Sequence, residues 1–172
     1  CVPGVCGRRG RRGRRGRVVK ALTLWRPWPY AIFHLPADIA KPVENRTGPP
    51  PSSLVGERIA IHAGKTWDDS GKWLIQDLMC VHLDLDEWRL PDEQPEGIIG
   101  TVRLRGVKRG ADHWTAQLVA GELLANAGSG VWYRGPYGWL LDDVRALPEP
   151  IPCKGQRGLW DVPEELVGRL AA

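Results

Sequence analysis

Lys41, Glu44 and Arg46 stand at offsets 0, 3 and 5 of the run Lys41-Pro-Val-Glu-Asn-Arg46. Pro42 and the shortness of the run disfavour a helix, so the segment reads as extended. Side chains alternate along an extended chain, which puts Glu44 and Arg46 on one side and Lys41 on the other. A carboxylate beside a five-donor guanidinium can read a planar polar ligand. Glu44 could accept from an exocyclic amine, and Arg46 could hold a phosphate or a base edge bidentately. Lys41 suits a phosphate or carbonyl contact, or a catalytic base in an apolar surround. Just upstream, Leu24-Trp-Arg-Pro-Trp28 offers Trp25 and Trp28 as stacking faces. Downstream, Ile61-His-Ala-Gly-Lys65 adds His62 and, at a strand end, Lys65 as a further phosphate contact. Each feature has a plainer alternative. Glu44 and Arg46 could form a surface ion pair worth little. The two tryptophans could plug the end of a barrel, and a lone histidine is more often structural.

Five strand-length runs must position these residues: 18–24, 41–46, 57–63, 97–107 and 137–147. In 57–63 the apolar Ile59, Ile61 and Ala63 alternate with Arg58, Ala60 and His62, the pattern of a half-buried strand. Pro27 fits the first turn of a short helix ending near Leu35. Asp68 or Asp69 can cap a helix over 70–83, with Trp73, Leu74, Leu78 and Val81 at helical spacing. Residues 84–96 are acidic and hold Pro91 and Pro95, a loop by composition. A further helix is expected near 114–125, ended by Gly128-Ser-Gly130. Pro148 and Pro150 should break the last long strand. Pro152 to Val162 reads as an irregular edge, and Pro163-Glu-Glu165 as the start of a terminal helix. Strands split by a few helices, without regular βαβ alternation, indicate an α+β domain with a small curved or barrel-like sheet.

The chain has 172 residues, enough for one domain with a real core. Nine tryptophans against a single Phe raise the prospect of a stacking site. The formal charge of +4 conceals an asymmetry. Residues 8–17 hold seven arginines and no acid, so the remainder carries −3, which is +4 less seven. An Arg/Gly-rich arm over 1–17 has little apolar payload and is expected to be disordered; it could bind nucleic-acid phosphates without sequence preference. The chain opens on Cys, and Val18 or Val19 could be a natural start, so no function is built on the arm. Cys1, Cys6, Cys80 and Cys153 show neither a zinc spacing nor a disulfide framework. A reduced, cytoplasmic protein with no membrane span, metal or cofactor is the simplest expectation. The acidic body argues against a broad nucleic-acid footprint but suits a narrow pocket for one nucleotide.

Taken in order, Leu24-Trp-Arg-Pro-Trp28, Lys41-Pro-Val-Glu-Asn-Arg46, Ile61-His-Ala-Gly-Lys65 and Gly135-Pro-Tyr-Gly-Trp139 lead to Pro150-Ile-Pro-Cys-Lys-Gly155 and Gly158-Leu-Trp160. This series resembles an ASCH domain of the PUA-like superfamily over about residues 19–163. Lys41, Glu44 and Arg46 match that family's Gly-x-Lys-x-x-Glu-x-Arg motif, with Ile39 in the glycine position. The resemblance implies a PUA-like β-barrel over 18–172, helices around it, and a cleft lined by the motif that takes RNA or a nucleotide-like small molecule. Some relatives are amidohydrolases of a modified cytidine that use a lysine and a threonine three residues later. Lys41 matches the lysine, but Glu44 occupies the threonine position, and a carboxylate cannot play a hydroxyl's part unchanged. Three functions therefore suit the sequence. One is a binding module using Trp25, Trp28, Lys41, Glu44, Arg46, His62 and Lys65. The second is a small hydrolase, of modified nucleosides or of RNA, with Lys41 and Glu44 catalytic. The third is a protein-interaction module. Removing residues 1–17 is expected to leave the melting temperature of the body unchanged; a large drop in a thermal melt would show that the arm is structural.

Overall fold

A computed structural model describes residues 18–109 and 131–171 of the chain. They form a six-stranded mixed sheet: β1 (Lys20–Arg26), β2 (Val43–Arg46), β3 (Arg58–Trp67), β4 (Gly97–Arg109), β5 (Tyr137–Ile151) and β6 (Leu159–Asp161). The strand order is β2-β5-β4-β3-β1-β6. Only β1 and β3 run parallel; every other pair is antiparallel. The sheet curls into a half-barrel, with β2 and β6 as its ends among the described residues. The α+β, barrel-like expectation holds at that level. The arm, the helix expected near 114–125 and its Gly128-Ser-Gly130 stop lie outside the described residues.

Three apolar clusters hold the elements together. One, inside the curl, joins Leu22, Leu24, Ile59, Ile61, Val102, Leu104 and Trp139. The second packs α2 (Asp69–Leu83), through Leu74, Ile75, Leu78 and Met79, against Ile39, Val43 and Trp132. The third seats α3 (Glu164–Val167) and the 3-10 turn Gly168–Ala171 on Ala60, Ile98, Ile151 and Trp160. Cover on both faces corrects the half-buried reading of 57–63: Ile59, Ala60, Ile61, His62 and Ala63 are all buried. Trp73, assigned to the apolar face of α2, is instead 63% exposed, and Ile75 and Met79 do its work.

The prolines of β5 do not break it. Gly100 pairs with Ala146 and Ile98 with Ile151, so residues 147–150 bulge opposite Ile99. β2 pairs with β5 only at Tyr137–Leu140, so among the described residues the far edge beside Pro148 and Pro150 has no neighbour that needs their missing N–H. Sequence reading treats proline as punctuation; at a bulge on an uncovered edge it is tolerated. The segment read as an irregular edge, Pro152 to Val162, contains β6, paired with β1.

The short helix α1 (Trp28–Phe33) connects the first two clusters, because Trp28 packs against both. Its indole Nε1 donates to Asp68 at 3.0 Å. Asp68 is the N-cap of α2 and also accepts from the Ser70 N–H at 3.0 Å, the Ser70 hydroxyl at 2.6 Å and the Gly71 N–H at 3.4 Å. Gly71 is required there: a β-carbon would lie 2.7 Å from the Trp28 ring. Among the described residues, no helix is long and apolar enough to cross a membrane.

Burial raises the Asp68 carboxyl, but the hydrogen bonds from Ser70, Trp28 and Gly71 outweigh it and leave the group below its ordinary value of 3.8. A depressed folded value stabilises the fold fully above the unfolded value, and the stabilisation disappears as pH falls through the folded one. Asp68→Ala is expected to lower stability by about 1–2 kcal/mol near neutral pH, the range for a lost cap. The deficit should shrink in denaturant melts as pH falls below the ordinary carboxyl value of 3.8; a deficit that is independent of pH would contradict the cap's role.

Candidate functional site

The Lys41–Glu44–Arg46 motif forms a chain of charges. Glu44 and Arg46 share a side of β2 as alternation requires, with Arg46 Nε 3.3 Å from Glu44 Oε1. Asn45, pointing the other way, bonds to the backbone of Trp132 and Arg134. Lys41 does not lie opposite Glu44, contrary to the sequence expectation. It precedes β2 and Pro42, outside the regular strand, so alternation does not apply to it. Its Nζ donates to Glu44 Oε2 at 2.7 Å and to the Val43 carbonyl at 2.5 Å. Lys41 is only 3% exposed, and its ammonium sits 5.6 Å from the centre of the Trp28 ring. Lys41 thus lies behind the surface, with Glu44 and Arg46 in front of it.

In front is a hollow of about 250 Å³, lined by Leu24, Trp28, Glu44, Thr23, Trp25 and Arg46. The last three residues also line an adjoining, larger cleft of about 1140 Å³. Single hydrophobic pockets for small molecules run from about 300 to 1000 Å³. The hollow is therefore sized for one ring system, and the cleft for the rest of a larger ligand.

Irregularities in strand pairing build the cleft. Leu24 pairs with Ala63 but Arg26 with Trp67, so Gly64, Lys65 and Thr66 bulge opposite Trp25. Bulges re-aim side chains. Here Trp25 ends 57% exposed and Lys65 stands out into solvent at the rim. A second bulge, at Ile99, adjoins His62. The loop between β5 and β6 supplies the opposite wall with Lys154, Gly155 and Arg157.

His62 is 5% exposed and lines the larger cleft. Its ring packs edge-on against Trp160, with the ring centres 5.8 Å apart. Trp160 Nε1 in turn donates to the Thr23 hydroxyl at 3.1 Å. The Nε2 atom lies 3.1 Å from the Cys153 carbonyl oxygen, an acceptor, so in the neutral ring Nε2 carries the proton. Nδ1 is then a buried acceptor with no hydrogen-bond partner among the described residues. His62 is both a packed residue and part of the cleft floor.

Among the described residues four cations line the cleft, Arg46, Lys65, Lys154 and Arg157, against one carboxylate, Glu96. Lys65 Nζ is 3.9 Å from Glu96, which Arg26 also approaches at 3.5 Å. The local balance is positive although the body as a whole is acidic. Burial pushes the Cys153 thiol, which lines the cleft, above its ordinary value and so disfavours its thiolate.

The structure brings Trp25, Trp28, Glu44 and Arg46 to one hollow and His62 and Lys65 to the adjoining cleft, with Lys41 held behind them. Sequence reasoning missed Lys154, Arg157 and Glu96 as site residues. The run Cys153-Lys-Gly-Gln-Arg-Gly158 carries a signal, two cations interleaved with glycines between two apolar strands. Glu96 has none, since it closes a loop rich in acids. No model of a known protein family matches the chain, and no curated protein does.

Removing one member of a buried ion pair leaves the other charge uncompensated, at a cost of about 3–5 kcal/mol. Lys41→Met is expected to destabilise on that scale. The double variant Lys41→Met/Glu44→Leu should recover much of the loss in denaturant melts. Equal losses in both would show that packing, not charge, is what Lys41 supplies. A β-carbon on Gly155 would come within 2.5 Å of His62 Cε1 and 2.8 Å of the Thr23 hydroxyl. Gly155→Ala should therefore cost about 1–3 kcal/mol through displacement of the loop. An unchanged melting temperature would contradict the close packing of that loop on His62.

Proposed function

We propose that this chain is an ASCH-type, PUA-like binding module whose cleft takes one nucleotide unit, in RNA or free. The observation that carries the reading is the shared wall of the two hollows. Arg46 and Trp25 belong both to a compartment the size of one ring system and to a cationic cleft beside it. An exposed tryptophan supplies a face for base stacking, worth about 1–3 kcal/mol per base. The neighbouring cations supply phosphate contacts, which position a nucleotide without reading its sequence. The terminal nitrogens of Arg46 remain for the ligand, because Nε is the atom that faces Glu44. The half-barrel with a few helices is compatible with a PUA-like fold.

Hydrolysis receives less support. It asks Lys41 or Glu44 to move a proton, yet each is engaged by the other, and the Lys41 ammonium is enclosed by Glu44, the Val43 carbonyl and Trp28. A general base must reach the proton that it abstracts. The interaction-module alternative leaves the convergence of Trp25 and four cations, Arg46 among them, on one cleft without a purpose.

Titration with nucleosides, nucleotides and short RNAs tests the reading. Arg46→Ala is expected to weaken binding by about 1–3 kcal/mol, the scale of a bidentate contact, while the fold persists. Trp25→Ala should weaken binding comparably with no loss of stability, since the ring is exposed. Ligand binding untouched by both substitutions would reject the cleft as the site.

A further inference from the structure

We propose that the larger cleft contains a subsite for a phosphate monoester, formed by Lys154, Arg157 and Lys65, so that the ligand is a compact 5′-phosphorylated nucleoside rather than a length of RNA. This rests on the reading of the cleft as a nucleotide site and goes beyond it in naming the ligand's charged group.

The argument begins with the distribution of charge. Outside the arm the chain carries −3, yet among the described residues four cations and one carboxylate line this cleft. A polynucleotide is held by a basic stripe that neutralises many phosphates. A body with a net negative charge and a cleft lined by more cations than carboxylates suits a small ligand with its charge in one place. A phosphate monoester carries about −1.5 to −2 at pH 7, whereas a backbone diester carries a single charge. Arg46 lies at the boundary with the ring-sized hollow, where it faces Glu44 and Trp139. The other three cations lie further out, on the bulge of β3 and the β5–β6 loop. A ligand stacked on Trp25 extends its charged end toward them.

The anchoring of the loop supports the same reading. Lys154 and Arg157 are exposed, but the loop is anchored on either side of Lys154: Gly155 packs on the His62 ring, and the Cys153 carbonyl meets His62 Nε2 at 3.1 Å. Lys154 therefore hangs from a positioned backbone, with Arg157 two residues beyond the Gly155 anchor. Glu96 limits the site at the other side, tempering Lys65 and Arg26 and disfavouring a second phosphate beyond the first.

The test uses the full chain and four nucleoside 5′-monophosphates, the matching nucleosides, and dinucleoside monophosphates as diester probes, by calorimetric titration. At least one 5′-monophosphate is expected to bind about tenfold or more tighter than its nucleoside and its diester, the scale of one charge-assisted hydrogen bond. The double variant Lys154→Ala/Arg157→Ala should erase that preference and retain nucleoside binding through Trp25 and Arg46. The arm arginines remain in that variant, so a preference carried by them would survive it and overturn the inference. Equal binding of nucleoside and monophosphate would also overturn the subsite while leaving the nucleotide reading intact. Diesters binding at least as tightly as monoesters would assign the cleft to RNA and overturn the inference. Failure of every probe to bind the folded protein would bring down the nucleotide reading and the subsite together.

Discussion

A carboxylate enclosed between two cations is the constraint on which the rest depends. Glu44 is largely buried, and it takes Lys41 on one oxygen and Arg46 on the other. Burying such groups is costly unless each is paired, so the geometry has to be kept. Several elements keep it. The Lys41 backbone N–H donates to the Ala31 carbonyl at 2.9 Å, tying the segment to α1. Trp28 covers the ammonium and reaches Asp68 at the start of α2. On the far side, Glu44 pairs across strands with Trp139, whose indole donates to the Gly48 carbonyl at 2.9 Å. Two helices and two strands thus converge on one ion pair. The visible outcome is a single guanidinium, Arg46, held at the edge of a cleft.

On the proposed reading, stability and recognition are separated along this chain of charges. Lys41 and Glu44 lie within the protein, where a charge must be matched. Arg46 emerges where its remaining donors are usable. The same division recurs across the cleft. His62, Trp160 and Thr23 form a packed floor, and Gly155 is seated on it. Trp25, Lys65, Lys154 and Arg157 form an exposed rim above. A rigid floor fixes where the rim side chains begin, which lowers the ordering cost when a ligand engages them.

Much of this was legible in the sequence, for identifiable reasons. Alternation correctly placed Glu44 beside Arg46 because both lie within a regular strand. It failed for Lys41, one residue before a proline, where no strand period operates. The Asp68 cap was readable because its role is local. The exposure of Trp73 was not, since helical spacing cannot tell which of several apolar stripes faces the core. His62 was assigned to the face away from Ile59 and Ile61, correctly, but the cover on that face comes from β6 and α3, far along the chain. Lys154 and Arg157 were missed for the same reason: only the folding of β6 against β1 brings their loop to Trp25. Strand bulges at Gly64–Thr66 and residues 147–150 are likewise set by pairing partners rather than by local composition.

On the proposed reading, a nucleotide occupies the joined hollows between Trp25, Arg46 and the β5–β6 loop. Indole N–H resonances in a nitrogen–proton correlation spectrum report on it directly, because each tryptophan gives its own signal. On titration with nucleoside 5′-monophosphates, the Trp25 signal should move most and the Trp28 signal should follow. Trp73, exposed on α2 and outside both hollows, should stay in place. A Trp25 signal that is stationary at saturating nucleotide, or a larger movement at Trp73, would contradict the account.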